Sequence, residues 1–297
     1  MTTAPAPPSP RLFDTRVILS NRITRTFVRV TLAAPSLRHF APWGLDQRVK
    51  LILPHGSDPA TDENRPWRGL FSDEVDGTSA PEWRAALGRL TPADRHLART
   101  YTTGAVRPEE CEIDIDFFIH HPAGPASSWA ASAAPGDRIL VSGPDVRADD
   151  RRHGIQWRPI EPPAVMLLVG DETAIPAING IAASLGADTR GTVIVEADDV
   201  SACPPIVNVP AGVTVRHVTR DRGRPGEALG AAVASWAVSD AHEARSAGTG
   251  FAAWIAAESS AVSGLSAAVA ESGIPRERIH RQGYWRAEGR EARNEVG

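Results

Sequence analysis

Arg99 and Tyr101 stand two residues apart in the run Arg-Thr-Tyr-Thr at 99–102. Side chains alternate along a strand, so on a strand these two point to one face. A guanidinium beside a flat aromatic ring suits a ligand that carries both a phosphate and a ring. Downstream lies the small-residue turn Gly124-Pro125-Ala126-Ser127, ahead of a helix expected over Ser128 to Ala134. Such a turn leaves backbone N–H groups open, and a helix N-terminus favours anions. Together they describe a seat for a dinucleotide such as FAD. On pattern alone the same stretch reads equally well as a strand, a turn and a helix with no ligand.

Other elements must hold these residues in place. EIDIDFFIHH at 112–121 alternates as a strand, Pro135-Gly136-Asp137 reads as a turn, and RILVSGP closes the unit as a further strand. Upstream, residues 12–32 alternate, with β-branched Val17, Ile18, Ile23, Thr24, Val28 and Val30, and read as two strands joined near Ser20-Asn21. Val49 to Leu53 reads as another strand, and Lys50 within it, the only lysine of the chain, reads as a solvated outer residue. Residues 55–94 form a polar insertion that contains Trp67 and Trp83. Loops this long are functional or carry local structure. Within it, Pro81 to Leu90 reads as a short helix, and no role is assigned to the insertion.

Residues 145–163 are polar, with Pro159, Pro162 and Pro163 near their end, and read as a linker. From Ala164 the pattern changes to alternating strands and helices. Strands are expected at 164–170, Gly191 to Glu196, Val213 to Val218 and Phe251 to Ala256. Helices are expected at Ile175 to Leu185, Gly226 to Val238 and Ala261 to Glu271. This alternation means a parallel sheet, which binds ligands beyond the carboxyl ends of its strands. The turn VGDETAIP lacks G-x-G-x-x-G, which argues against an ordinary Rossmann dehydrogenase. Asp171 and Glu172 read there as a helix-start pair. Glu196 stands where an acidic group can accept from a ribose hydroxyl and would repel a 2′-phosphate. Arg220, Arg222 and Arg224 follow the third strand, either to offset that repulsion or as a solvated basic loop.

At 297 residues the chain has room for two domains, since one takes roughly 100–200 residues. A net charge of −4 gives no reason to expect nucleic acid as a partner. Two cysteines, Cys111 and Cys203, are too few for a four-thiolate iron–sulfur cluster. The segment MTTAPAPPSPRLF lacks the apolar core of a secretory signal. No apolar run of about 18 residues suggests a membrane helix. The expectation is a soluble, cytoplasmic monomer with no membrane or nucleic-acid partner.

The motifs, taken in order, resemble the siderophore-interacting protein family of flavin-dependent ferric-siderophore reductases. The family pattern R-x-Y-T, D-F-x-x-H, G-P-A-x-x-W-A, P-G-D and G-P is matched here. Its residues are Arg99, Tyr101 and Thr102; Asp116, Phe117 and His120; Gly124, Pro125, Ala126, Trp129 and Ala130; Pro135, Gly136 and Asp137; and Gly143 and Pro144. Gly170-Asp171-Glu172-Thr173-Ala174, with Pro176 and Ala177, resembles the family's G-D-E-T-A-x-P-A turn. Trp254 to Ser259 resembles W-V-A-G-E-A, and Gly283-Tyr284-Trp285-Arg286 resembles G-Y-W-R.

This resemblance implies a ferredoxin-reductase-like fold. A six-stranded antiparallel barrel over 11–148 would bind FAD, following a disordered 1–10. A linker at 149–163 would lead to an α/β domain over 164–297 that receives NADPH or NADH. The implied FAD contacts are Arg99, Tyr101, Thr102, Asp116, Phe117, His120, Gly124, Pro125, Ala126, Ser127 and Trp129. Asp171, Thr173, Ala174, Glu258 and Trp285 complete the implied cofactor-binding set. Thr102 is expected to hydrogen-bond the hydride-accepting flavin nitrogen, and Lys50 to attract an anionic ferric siderophore. Tyr284 and Trp285 either sit near the flavin ring or anchor the tail.

The sequence departs from the family pattern in several places. Gly104 replaces a frequent second arginine, for which Arg107 is the candidate substitute. Ala257, Ser259, Ser263 and Ser266 replace residues usual around the last motif. Two rivals stay open: a flavoprotein fed by ferredoxin, and a non-catalytic binder of ferric siderophores.

Overall fold

Alternating apolar residues in the first half of the chain become the inward rows of a closed barrel. The computed structural model describes residues 10–54, 78–91, 96–148, 150, 153–220 and 224–287. The chain divides between Ile155 and Gln156 into two compact units. In the first, β1 (Arg11–Arg22), β2 (Phe27–Ala33), β3 (Arg48–Ile52), β4 (Ala98–Arg107), β5 (Glu112–Phe118) and β6 (Arg138–Gly143) close in the order β1-β2-β5-β4-β3-β6, all pairs antiparallel. Val28, Val30 and Leu32 of β2, Ile113, Ile115 and Phe117 of β5, and Ile139 and Val141 of β6 fill the interior. Closure leaves no long strand edge open to other chains.

Among the described residues two α-helices complete this unit. The helix α1 (Ala80–Gly88) covers an outward apolar row of Leu12, Ile52 and Leu140 with Ala80, Trp83 and Leu87. Its start is fixed by Ser79, whose N–H and hydroxyl both donate to Glu82, at 2.7 and 2.6 Å. The Trp83 indole N–H donates to Ser142 at 3.1 Å. The helix α2 (Pro125–Ser132) adds Ala126 and Ala130 to the barrel core. It begins at Pro125, ahead of the expected Ser128, because proline's fixed φ suits the first helical turn. The β1–β2 connection falls after Arg22 rather than at Ser20-Asn21, and a register shift between Val17 and Leu19 accompanies the longer strand.

The second unit is a parallel sheet with helices. Its strands are β7 (Val165–Asp171), β8 (Arg190–Ala197), β9 (Gly212–Thr219), β10 (Phe251–Glu258) and β11 (Ile279–Trp285). They lie in the order β11-β10-β7-β8-β9. The helices are α3 (Ile175–Ala182), α4 (Glu227–Ser239), α5 (Ala241–Ser246) and α6 (Ala261–Glu271). Every residue of β7 and β10 is buried, as expected for strands covered on both faces. Gly283, Tyr284 and Trp285 belong to β11, an edge strand parallel to β10.

Residues 1–9, most of the 55–94 insertion with Trp67, and Arg222 lie outside the described residues, as do residues 288–297. Among the described residues no helix is long and apolar enough to cross a membrane.

Candidate functional site

In the first unit the candidate site is built on β4. Antiparallel partners share a face, and Tyr101 pairs with Val49 while Arg99 pairs with Leu51. Arg99 and Tyr101 therefore continue the core-facing row of β3, and at Arg99 that row reaches solvent. The Tyr101 ring packs on Phe117, centroids 4.6 Å apart, and Phe117 packs on Trp129 of α2 at 5.7 Å. Burial pushes the Tyr101 phenol up to about 12, against a smaller opposing pull from the Arg99 charge. The ring is thus neutral across the physiological range, and Arg99 is close enough to be felt. Thr102 and Thr100 lie on the other face, opposite Arg48 and Lys50. Thr102 is buried and Lys50 half-buried. The register shift between Thr103 and Val106 contains Gly104; a Cβ there would come 3.2 Å from the Asp114 carbonyl.

The structure sorts the remaining motif residues of this unit into two groups. Phe117 is fully buried, so its side chain seats Tyr101 and Trp129 and contacts no solvent. Asp116 receives both Nε and Nη2 of Arg29, at 2.7 and 2.8 Å, across β2 and β5. The Ser127 hydroxyl donates to the Phe118 carbonyl at 2.7 Å, which ties α2 to the end of β5. The more open members are His120, whose ring lies 3.6 Å from a Cβ built on Gly124, and the start of α2. Gly124 caps that helix with no side chain to accept from its first N–H groups, and Pro125 follows. A guanidinium, a flat ring and an uncapped helix start within one unit fit the phosphates and rings of FAD.

Arg107, the candidate substitute for an arginine at Gly104, is engaged by carboxylates of the barrel itself. Its guanidinium meets Glu110 at 3.0 Å, Glu112 at 3.0 Å and Asp114 at 2.9 Å. The hydrogen bond to Asp114 is the largest cause that raises its pKa. The turn after β4 brings Glu110 next to it, and the pairing of β4 with β5 brings Glu112 and Asp114, so its charge is engaged by the barrel.

The second unit gathers its motif residues at the carboxyl ends of β7 and β10. Asp171 accepts from the Thr173 N–H at 3.0 Å, the Thr173 hydroxyl at 2.5 Å and the Trp285 indole at 2.7 Å. Burial pushes its carboxyl up to about 6 despite these donors. Ala174 is buried; a Cβ on Gly170 would fall 2.4 Å from the Ala174 methyl and 2.9 Å from the Ala256 carbonyl. Glu258 accepts from the Ser260 N–H at 2.6 Å, the Ser260 hydroxyl and the Ala287 N–H at 3.2 Å. Burial would raise its pKa, but these bonds outweigh it and hold the carboxyl low. Ser259, a departure from the family pattern, donates its N–H and hydroxyl to the Trp285 carbonyl, both at 2.8 Å. It packs so closely on Gly283 that a Cβ there would lie 2.4 Å from its hydroxyl. Ser263 accepts from Arg281 of β11 at 3.2 Å, so a guanidinium reaches this helix from the neighbouring strand.

Two further readings are corrected. Glu196 is fully buried and accepts from Arg220 at 3.0 Å and from the N–H groups of Gly226 and Leu229 at 2.9 and 3.3 Å. It caps α4 and offers no open acceptor to a ribose. Arg220 is bound by Glu172, Glu196 and Asp198 and is not part of a solvated basic loop. Sequence spacing alone does not reveal that these four groups converge, because they come from the ends of three strands.

The family model of the siderophore-interacting FAD-binding domain matches residues 16–148, and that of the siderophore-interacting protein matches residues 163–288. The chain is 34% identical over 194 residues to the mycobactin import ATP-binding/permease protein IrtA of Mycolicibacterium smegmatis. That match covers 65% of this chain and 20% of the relative, so the chain spans about a fifth of that longer protein. It is 25% identical to the ferric vibriobactin reductase ViuB of Vibrio cholerae, over 93% of this chain and 89% of ViuB. The crystal structure of the siderophore-interacting protein SipS from Aeromonas hydrophila superposes with a TM-score of 0.67 at 25% identity, covering 95% of this chain and 94% of that one. With an antiparallel barrel followed by a five-stranded parallel sheet of ferredoxin-reductase-like type, the chain belongs to the siderophore-interacting protein family and carries that family's FAD-binding domain.

Proposed function

We propose that this protein is an FAD-dependent oxidoreductase that uses NAD(P)H to reduce a ferric siderophore and release Fe(II) in the cytoplasm. The observation that carries the reading is the aromatic contact through Phe117, which joins Tyr101 of β4 to Trp129 of α2 beside Arg99. FAD, when bound, supplies the chemistry that exchanges a hydride for single electrons. The chain's own residues bind and orient. Arg99 and the first N–H groups of α2 meet phosphate charge, Tyr101 offers a flat neutral face, and Thr102 offers a hydroxyl donor on the opposite face of β4. Lys50 attracts an anionic chelate. Asp171, Thr173, Ala174, Glu258 and Trp285 shape the nucleotide end of the parallel sheet. Ferric iron is the substrate's cargo; hard oxygen ligands hold Fe(III) better than Fe(II), so reduction loosens it.

Similarity to a ferric vibriobactin reductase over nearly the full length of both chains supports reduction over mere capture. The test mixes FAD-loaded protein, NAD(P)H and a ferric siderophore with an Fe(II)-specific chromogenic chelator under argon. Colour that requires both protein and nucleotide is the expected result. Binding of the ferric siderophore without Fe(II) would instead make the protein a non-catalytic binder. Fe(II) produced with reduced ferredoxin but with neither nucleotide would move the donor assignment to that carrier.

A further inference from the structure

The carboxyl ends of β7, β8 and β9 are stitched together by one guanidinium. Arg220 donates Nε to Glu196 at 3.0 Å, Nη2 to Glu172 at 2.7 Å and Nη1 to Asp198 at 3.1 Å. The other oxygen of Glu172 accepts the Asp198 N–H at 3.0 Å. The side chains of Arg220, Glu172 and Glu196 are 11%, 3% and 1% exposed, whereas that of Asp198 is 69% exposed. Burial works to lower the Arg220 pKa, and Glu172 and Glu196 more than reverse it. A single cation therefore answers three carboxylates, and the member that faces water is an acid.

In parallel nucleotide-binding sheets the end of the second strand is where the ribose 2′ position is read. A carboxylate there suits a free hydroxyl, and a nearby arginine accommodates a 2′-phosphate. Here the arginine is nearly buried and already gives one N–H from each of its three nitrogens to a carboxylate, and the cluster, with one cation against three acids, keeps excess negative charge. Glu227, at the start of α4, adds a further carboxylate near this edge and accepts the backbone N–H of Arg224 at 3.2 Å. We infer that this edge selects against a 2′-phosphate, so that the pyridine nucleotide taken by the chain is NADH rather than NADPH, with Asp198 and the Arg220 clamp as the specificity-determining groups. The inference rests on the proposed reading that a pyridine nucleotide docks at this edge.

Calorimetric titration of the FAD-loaded protein with ADP-ribose and with its 2′-phosphate tests it without turnover. ADP-ribose should bind about tenfold more tightly, the effect of one unit charge at roughly 6 Å and an effective dielectric of about 40. Asp198→Lys should narrow the ratio of the two dissociation constants by about tenfold or more. Equal binding, or tighter binding of the 2′-phosphate, would overturn the inference, as would a ratio that Asp198→Lys does not move. Binding of neither ligand would overturn it together with the nucleotide-fed part of the proposed function. The flavin absorbance of the same sample shows whether the FAD part survives.

Discussion

The two units treat their charged motif residues in opposite ways. On the barrel, Arg99 stands exposed beside Tyr101, and α2 starts with no side-chain cap. At the carboxyl edge of the parallel sheet, Glu172, Glu196 and Glu258 are buried and accept from protein donors, and Arg220 is shared among three carboxylates. A charge presented to solvent can read a ligand. A charge saturated by its own chain holds loops in register and sets the local field. The same residue types thus serve recognition in one unit and scaffolding with charge filtering in the other.

This contrast breaks most visibly at Arg220. Arg220→Ala leaves Glu172 and Glu196 buried without their cation and is expected to cost about 3–5 kcal/mol in chemical denaturation. A loss below about 1 kcal/mol would mean the clamp is not structural. Next in size is a pH effect at Asp171. Its folded pKa, about 6, lies above its ordinary value. Its contribution is therefore fully present below about pH 4 and is lost as pH rises through 6, amounting to about 3 kcal/mol. The stability difference between the wild type and Asp171→Asn should shift in favour of the variant by that order between pH 4 and 7. Parallel curves would show that the carboxyl ionises normally.

On the barrel the expected changes concern ligands. Arg99→Ala should alter the stability of the apoprotein by no more than about 0.5 kcal/mol. It should weaken FAD binding by about 1.5–3 kcal/mol, the range for a hydrogen bond to a charged group. Full flavin occupancy at limiting FAD would remove Arg99 from the site. Smallest is Lys50→Ala, expected to raise KM for the ferric siderophore roughly three- to tenfold while leaving nucleotide-driven flavin reduction unchanged, as for a steering charge. An unchanged KM would return Lys50 to an ordinary outer-face residue.

Much of the fold is legible in the sequence because periodicity records burial. The continuous run before Asp171 marks a strand covered on both faces, and the alternation at 112–118 marks one face of a barrel. The strand β11 escapes this reading because His280, Arg281, Gln282 and Gly283 carry no apolar alternation; an edge strand needs little. Among site residues, Arg99, Tyr101 and the α2 turn are legible as local spacing. The fates of Asp116, Glu196 and Arg107 are not, because their partners are set by strand register and by loop convergence. Arg29 reaches Asp116 only once β2 pairs with β5, and Arg220 reaches Glu196 only once β9 lies beside β8.

The measurement closest to the centre of this account is the visible absorption spectrum of the FAD-reconstituted protein before and after anaerobic addition of NADH. Two flavin bands should bleach on addition and return when a ferric siderophore is supplied. Absence of flavin bands after reconstitution, or bands that NADH and NADPH both leave untouched, would contradict the proposed function.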